Sequence, residues 1–303
     1  MNFRHSLRTA LRHFSFFVQR GQLQQQIRRF LPYIARHRRL VVGGTGGSAF
    51  AASMWGSRNE DAAKDSEKDI AEIIKRADVF YEQYLIDNVY AGLIRYEDSN
   101  NSELLWRLAR ATCEKAKLTQ DKAKKKELIF KAFEVIEKAI ANEPPEGSFG
   151  AHKWYAILLD YVGEYEGTKS RIRRSYDVRK HLERALEINQ KDPTTWHILG
   201  VWHFAFADLP TYQRYIASAI FDTPPTSTYD DALYYFEKAE TIQPDFYSKN
   251  LWYMAEVMQR KGELDKALIM YKRAFSLPIV SIDDKEVHEK CFKMLQKLGA
   301  DVA

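Results

Sequence analysis

The residues of this sequence that could do chemistry do not form a catalytic or metal-binding pattern. His197 and His203 are six positions apart, which places them on different faces of a helix rather than at the i, i+4 spacing of a metal pair. Asp160, Glu164 and Glu166 are close in sequence, but nothing around them predicts a buried pocket that would separate their pKa values. No nucleophile elbow, zinc-protease motif or dinucleotide fingerprint occurs. We therefore expect no enzymatic activity, no cofactor and no metal.

Positive charge is concentrated at the N-terminus. Residues 1–59 contain ten Arg and no Lys, Asp or Glu, whereas the remainder carries 36 basic and 41 acidic residues. In a helix, residues 3–18 would place their arginines beside an apolar stripe. Such a helix is typical of a mitochondrial transit peptide, and it also suits an anionic membrane or an acidic polymer. The arginines expected to act in targeting or contact are Arg4, Arg8, Arg12, Arg28, Arg29, Arg36, Arg38 and Arg39.

A glycine-rich run from Gly43 to Ser48 follows and lacks the Lys of a phosphate-binding loop, so we interpret it as a hinge. The most apolar stretch, Leu40 to Trp55, is short and rich in Gly and Ser, which argues against a membrane span. Two distant cysteines indicate neither a disulfide framework nor a zinc site and favour a reducing compartment. We therefore divide the chain into a basic segment with a hinge, residues 1–59, and a folded body, residues 60–303.

The body shows a repeated pattern of helix pairs. Its apolar periodicity is helical almost throughout, and Pro falls between the periodic segments. In residues 251–275, large and small apolar residues anchor two helices around Gly262. This resembles the tetratricopeptide pattern, in which small residues let paired helices approach closely. We predict an all-α, tetratricopeptide-like solenoid of helical hairpins behind a disordered or amphipathic head. Its earlier pairs run from Leu105 to Ala139, Trp154 to Ala185 and Trp196 to Ala239, with a weaker pair over Asp69–Tyr96 and a closing helix over Asp284–Leu298.

The stretch between the two helices is longer in the first three clear pairs than in the last. Insertions along one edge of a solenoid often mark a binding face. The first two are basic and predict a positive ridge that attracts an acidic peptide tail, a phosphate-bearing lipid surface or RNA. The alternative is a solvated face that merely extends the helices. Since no nucleic-acid module occurs, we expect no nucleic acid as partner. The predicted ridge consists of Lys122, Lys124, Lys125, Lys126, Lys169, Arg171, Arg173, Arg174 and Arg179.

The third insertion is apolar and ends at Pro224 and Pro225. Its aromatic and branched residues recur at helical spacing, which predicts an extra amphipathic helix laid against the stack. A lid over an apolar groove is the alternative interpretation. The residues of this predicted helix are Tyr212, Tyr215, Ile216, Ile220 and Phe221.

Three segments resemble the regulator of microtubule dynamics family: LLWRLARA, AHKWYAILLDYVGEYEGTKSRI and TTWHILGVWHFAFADLPTYQRYIASAIFDTPPTSTYDDALYYFEKAE. The resemblance covers roughly residues 70–298. It implies a degenerate tetratricopeptide domain in a non-enzymatic protein that associates with microtubules and spindle poles and influences chromosome segregation. The partners that follow are tubulin and a peptide or helix held in the concave groove.

The same resemblance implies an alternative. One branch of the family is on the mitochondrial outer membrane, ties it to the endoplasmic reticulum through an acidic two-phenylalanine motif and can carry phospholipid. This chain has no such motif in a linker, since DVFYEQY, residues 78–84, falls in a predicted helix. We predict a scaffold of the cytoplasm, cytoskeleton and spindle, with a mitochondrial pool suggested by the Arg-rich N-terminus. The alternative is a mitochondrial protein whose solenoid binds anionic phospholipid or a mitochondrial partner.

Overall fold

The computed structural model describes residues 66–209, 218, 226–279 and 282–300. In these ranges all regular structure is helical, and no strand occurs. The chain divides between Glu166 and Gly167 into two compact units, which we call the N-terminal and C-terminal units. The predicted fold class, all-α and built of tetratricopeptide-like helical hairpins, is confirmed. The prediction of one continuous body over residues 60–303 stays a prediction.

The N-terminal unit contains five helices and a short 3₁₀ turn in its described part. Consecutive helices pack against each other, and the third helix also contacts the first and the fifth. They are α1 (Glu67–Glu82), α2 (Ile86–Leu93), the turn Ile94–Tyr96, α3 (Ser102–Leu118), α4 (Lys122–Ala141) and α5 (Phe149–Glu166).

Short polar side chains determine where these helices begin. Ser66 and Asp69 form a capping box at α1, in which each side chain accepts from the backbone N–H of the other. Asn101 and Asp121 each accept hydrogen bonds from two backbone N–H groups at the starts of α3 and α4. Such caps satisfy donors that have no partner inside the helix, and each typically contributes about 1 kcal/mol.

A glycine contact fixes the packing of α3 on α5. The ring of Trp106 lies so close to Gly150 that a Cβ atom there would be 2.3 Å from its Cε2. The indole Nε1–H of Trp106 donates to Glu103 at 2.8 Å, which fixes the orientation of the ring. Any larger residue at position 150 would push the two helices apart.

Charged side chains join α1 to α3. Both carboxylate oxygens of Asp78 accept hydrogen bonds from Arg107, at 2.7 to 3.0 Å, and Arg110 donates to the same carboxylate at 2.9 Å. Burial alone would raise the pKa of Asp78, but the hydrogen bonds and charges of the two guanidiniums lower it below its usual value. This ion network therefore adds to the apolar contacts that hold the first two long helices together.

The C-terminal unit contains six helices among its described residues. Each packs against its described neighbours along the chain, and α9 also contacts α7 and α11. They are α6 (Thr168–Ile188), α7 (Pro193–Ala207), α8 (Tyr229–Ile242), α9 (Ser248–Arg260), α10 (Leu264–Ser276) and α11 (Ile282–Lys297).

The anchors predicted for the last two helix pairs form the core of this unit. A Cβ atom on Gly200 would be 2.5 Å from the ring of Phe236, so the Phe236 ring of α8 packs directly against the backbone of α7. Gly262 has a φ of +80° and provides the left-handed backbone of the tight turn between α9 and α10. The small and large anchors Leu199, Ala232, Phe236, Ala239, Leu251, Ala255, Ala267, Tyr271 and Ala274 are all buried.

A buried ion pair connects α9 to α11. The ammonium of Lys249 lies 2.6 Å from Asp283, and both side chains are almost completely buried. Burial lowers the pKa of Lys249, whereas the Asp283 carboxylate opposes that shift. Since removal of one partner would leave a buried charge unpaired, the pair makes the position of the last helix specific.

His197 is a core residue of the C-terminal unit. Its Nδ1–H donates to Asn250 Oδ1 at 2.9 Å, since Asn250 Nδ2 is itself a donor to the carbonyl of Phe236. Burial lowers the pKa of His197 to about 3. Burial and the charge of Arg179 lower the pKa of His203 to about 4. Both imidazoles are therefore neutral in the folded protein at neutral pH, and both are packed within the unit.

These two histidines predict a loss of stability in mild acid. The unfolded state takes up protons below pH 6.5, whereas the folded state does not until pH 4 or lower. Stability is therefore complete above pH 6.5 and falls below it, with each His contributing about 1.4 kcal/mol per pH unit once its unfolded form is mostly charged. Urea unfolding between pH 7 and 5 should show this decrease before most carboxylates titrate. His197→Gln should remove about half of the slope; an unchanged slope would contradict the assignment.

Candidate binding surfaces

The predicted lysines form the beginning of α4. Lys122, Lys124 and Lys126 are exposed and Lys125 is partly exposed. Lys124 forms an ion pair with Glu127 at 2.7 Å, and Lys126 lies 5.6 Å from the ring centroid of Phe130. The cluster presents several cationic groups to solvent within two helical turns, which suits contact with an acidic chain.

The predicted arginines lie between the first turn and the middle of α6. Arg173 is exposed, and Arg174 and Arg179 are partly exposed. Arg179 forms an ion pair with Glu183 at 2.7 Å and lies 5.1 Å from the ring centroid of Trp202. Arg171 differs from these, because it is only 7% exposed and offers little surface to a partner. The side chain of Lys169 lies outside the described part of the chain.

The residues of the first two predicted insertions lengthen helices rather than loops. Only residues 119–121 separate α3 from α4, and only Gly167, with a φ of +101°, separates α5 from α6. Helices α4 and α6 have 20 and 21 residues, whereas α9 and α10 have 13 each. The alternative interpretation, in which the basic residues merely extend helices, therefore fits both predicted insertions. We call these two regions, the lysines at the start of α4 and the arginines of α6, the basic segments. The lysines belong to the N-terminal unit and the arginines to the C-terminal unit, and a joint ridge of the two stays a prediction.

Two further predicted sites lie outside the described residues. They are the N-terminal arginines, from Arg4 to Arg39, and the predicted amphipathic helix, whose residues Tyr212, Tyr215, Ile216, Ile220 and Phe221 are all outside them. The apolar run Leu40–Trp55 lies outside them as well. Among the helices that the structure describes, none is both long and apolar enough to cross a membrane.

The carboxylates that might have suggested catalysis are spread along α5. Asp160 is buried, whereas Glu164 and Glu166 are exposed near the end of the helix. The thiols of Cys113 and Cys291 are buried, and burial raises the pKa of each to about 12. In the described ranges, no group of three His, Cys, Asp or Glu side chains is arranged to hold a metal ion. The absence of enzymatic activity stays a prediction.

A cleft with aromatic walls was missed by the sequence analysis. It lies in the C-terminal unit, and its aromatic residues are Trp196, Tyr234 and Tyr235. Trp196 was interpreted only as a repeat anchor, and it does pack against the buried residues Phe246 and Tyr247. The sequence did contain one sign of the cleft, which is Tyr234. This residue is two positions before the core residue Phe236, so in a helix it points away from the buried face of α8. Its side chain is 50% exposed.

Comparisons with known proteins identify the family. The family model for regulator of microtubule dynamics protein 1-3 matches residues 73–299. A Mus musculus protein named regulator of microtubule dynamics protein 1 is 40% identical over 230 residues, 76% of this chain and 75% of that protein. The Mus musculus regulator of microtubule dynamics protein 2 is 32% identical over 200 residues, 66% of this chain and 48% of that protein.

Among solved structures, a thermophilic tetratricopeptide-repeat (TPR) protein of Thermus thermophilus aligns with a TM-score of 0.49 and 14% identity. The alignment covers 74% of this chain and 98% of that one. With the family model matching most of the body, this chain belongs to the regulator of microtubule dynamics family.

Proposed function

We propose that this chain is a non-enzymatic scaffold that binds microtubules through its two basic segments. The observation that carries the proposal is its membership of a family whose members are named for the regulation of microtubule dynamics. The proposal includes that the protein is located in the cytoplasm and on the cytoskeleton, acts at the spindle and its poles, and influences chromosome segregation. A peptide in a concave groove and bound phospholipid stay predictions.

The position of the lysines supports a binding role for them. Beyond its N-cap Asp121, the first turn of α4 contains no acidic residue, although further negative charge there would complement the helix dipole. Lys122 and Lys126 are also like charges at i, i+4 spacing, which destabilises a helix. Lys122 and Lys126 therefore add little to the stability of the helix, and the use that we propose for them is contact with an acidic polymer.

The arginines of α6 support the same proposal. Arg173 and Arg174 are adjacent and project from the side of the helix that reaches solvent. Arg174 Nε donates to the hydroxyl of Ser170 at 3.3 Å, and a guanidinium has five N–H donors with which it can bind a carboxylate beside such a partner. Because arginine binds carboxylates in a bidentate manner, these residues suit the acidic side chains of a tubulin tail.

Reversal of the basic segments tests the proposal. The triple variant Lys122→Glu, Lys124→Glu and Lys126→Glu should bind stabilised microtubules about tenfold more weakly, on the basis of about 0.5 kcal/mol per exposed contact. The double variant Arg173→Glu and Arg174→Glu should also bind more weakly. Arg171 is left unchanged because it is buried. The measurement is co-sedimentation with microtubules over a range of salt concentrations, since screening beyond about 10 Å at 0.1 M salt should weaken the wild type.

A control carries the same change in charge. Lys272, Lys285 and Lys293 are exposed on α10 and α11, and their reversal to Glu should leave microtubule binding nearly unchanged. An equal loss of microtubule binding in the control and in the test variants would show that net charge alone causes it. Wild-type pelleting by both test variants would rule out the basic segments as the binding surface.

The effect of Lys122 on the free energy of unfolding can be measured separately. Lys122→Glu should stabilise the protein by about 0.3–1 kcal/mol through the helix dipole, with a further contribution from a new pair with Lys126. Lys122→Gln, which removes the charge without adding one, should give a smaller gain. Urea unfolding at low salt measures both. A destabilising Lys122→Glu would show that the lysine serves the helix itself.

The composition of the N-terminus favours a second candidate function, that of a mitochondrial protein whose body binds lipid or a mitochondrial partner. Ten arginines without an acidic residue in residues 1–59 are the observation that favours it. Isolated mitochondria and cytosol should be prepared from cells that express the chain with a C-terminal tag. Cleavage before about residue 60 in a protease-protected protein would establish import, whereas an intact, accessible N-terminus favours the microtubule scaffold. Arg4→Gln, Arg8→Gln and Arg12→Gln together should abolish import if it occurs.

A further inference from the structure

The aromatic cleft of the C-terminal unit is a site whose chemistry is opposite to that of the basic segments. It has a volume of about 340 Å³ and lies between the end of α6, the start of α7 and the middle of α8. This volume is at the lower end of the range for ligand pockets and is sufficient for one long side chain. The cleft is lined by Glu183, Leu186, Glu187, Gln190, Trp196, Leu199, Tyr234 and Tyr235.

Three rings form one wall of the cleft. The centroids of Trp196 and Tyr234 are 6.2 Å apart, those of Trp196 and Tyr235 are 5.7 Å apart, and those of the two tyrosines are 5.3 Å apart. Tyr234 is nearly perpendicular to both of the other rings. Tyr235 is held in place from behind by His203, which stacks on it at 4.6 Å. The wall is therefore partly preorganised, with Tyr234 as its solvent-exposed member.

The polar groups of the cleft favour a cation. The indole Nε1–H of Trp196 already donates to the carbonyl of Gln190 at 2.9 Å, so this residue offers its ring face rather than a donor. The other wall contributes the carboxylates of Glu183 and Glu187, and among the described residues no Lys or Arg side chain lines the cleft. Aromatic faces beside carboxylates attract cations through the ring quadrupole and through charge.

The carboxylates retain capacity for a ligand. Glu183 is paired with Arg179 at 2.7 Å and Glu187 with Arg184 at 2.9 Å, each on its own helix. These four side chains are 38% to 65% exposed, and exposed pairs of this kind contribute little stability and exchange readily. A carboxylate also has about four lone-pair sites, so that a second donor can bind beside the first.

Tyr234 already attracts a cation from its own helix. The ammonium of Lys238 lies 5.5 Å from the centroid of its ring, within the range of a cation–π contact. This contact is made one helical turn along α8, and Lys238 does not line the cleft itself. The ring of Tyr234 therefore already takes part in one cation–π contact, and that contact lies outside the cleft.

We propose that this cleft binds an arginine side chain of a partner protein. A guanidinium is planar and can stack on Tyr234 or Trp196 while its N–H groups donate to Glu183 or Glu187. A quaternary ammonium, such as the head group of a lipid, has no N–H group and would give neither carboxylate a hydrogen bond. A lysine ammonium can donate but cannot stack, which makes arginine the best match to both walls.

The test uses the full chain with ¹⁵N-labelled tryptophan, whose six indole signals are assigned through Trp196→Phe. The probe is the peptide acetyl-Gly-Ser-Arg-Ser-Gly-amide, and the comparison peptide carries citrulline, which keeps the shape of arginine without its charge. We expect a saturable shift of the Trp196 indole with the arginine peptide and at least about threefold weaker binding of the citrulline peptide. Absence of a saturable shift at Trp196 would overturn the proposal, as would equal binding of both peptides.

Variants separate this site from general charge effects. Tyr234→Ala should weaken binding about two- to fivefold, the range of an exposed cation–π contact. The double variant Glu183→Gln and Glu187→Gln should weaken it at least about twofold. Tyr176→Ala is the matched control, because Tyr176 is also 50% exposed on α6 but does not line the cleft. An equal effect of Tyr176→Ala would overturn the assignment to the cleft.

A quaternary ammonium probe distinguishes a peptide from a lipid head group. Tetramethylammonium chloride, titrated at matched ionic strength, should bind more weakly than the arginine peptide. Tighter binding of tetramethylammonium, with loss in Tyr234→Ala, would replace the arginine proposal with a head-group site. The test does not depend on microtubule binding, since its readout is the Trp196 indole signal, and Tyr234→Ala changes no residue of the basic segments.

Discussion

The close approach of paired helices is the constraint on which the rest of this structure depends. At Gly150 and Gly200 a ring from the neighbouring helix occupies the space that any side chain would need. Alanines at the other crossings, such as Ala132 and Ala267, are completely buried. Because the helices touch almost at the backbone, one face of each helix is fixed by packing, and function is left to the remaining faces and the helix ends.

This constraint explains why His197, Cys113 and Cys291 are buried packing residues. His197 and the two thiols lie in the layer where helices meet, and burial keeps each of them uncharged. A neutral imidazole that donates to Asn250 contributes to the specific packing of α7, α8 and α9. Groups in this layer have no contact with solvent, and the surfaces that we propose for binding consist of exposed charges and rings.

The sequence predicted the parts of the structure that depend on local pattern. The anchors of the repeats are buried as expected, and the close approach that small residues predict between paired helices is found at Gly200, which the ring of Phe236 contacts. The insertions were recognised by counting, but length alone did not distinguish a loop from a longer helix. Asp121 at the start of α4 and Gly167 before α6 determine that outcome, because each permits a helix to begin immediately.

Contacts between distant positions were beyond such an analysis. Asp78 meets Arg107 across 29 positions in sequence, and no pattern in either helix predicts the pairing. The cleft was missed for the same reason, since its walls come from three helices. Tyr234 alone, off the buried face of α8, gave a sign that an aromatic ring was available to a partner.

Helix α6 brings the two kinds of surface together in one element. Its first half carries Arg173 and Arg174, and its last two turns carry Glu183 and Glu187 with Arg184 between them, with no basic residue in the last turn itself. This order is the reverse of the one that a helix dipole favours. A helix selected for stability alone would place acids first and bases last. The reversed order is the one that the two proposals require, with an acidic surface bound at one end of α6 and a cationic side chain at the other.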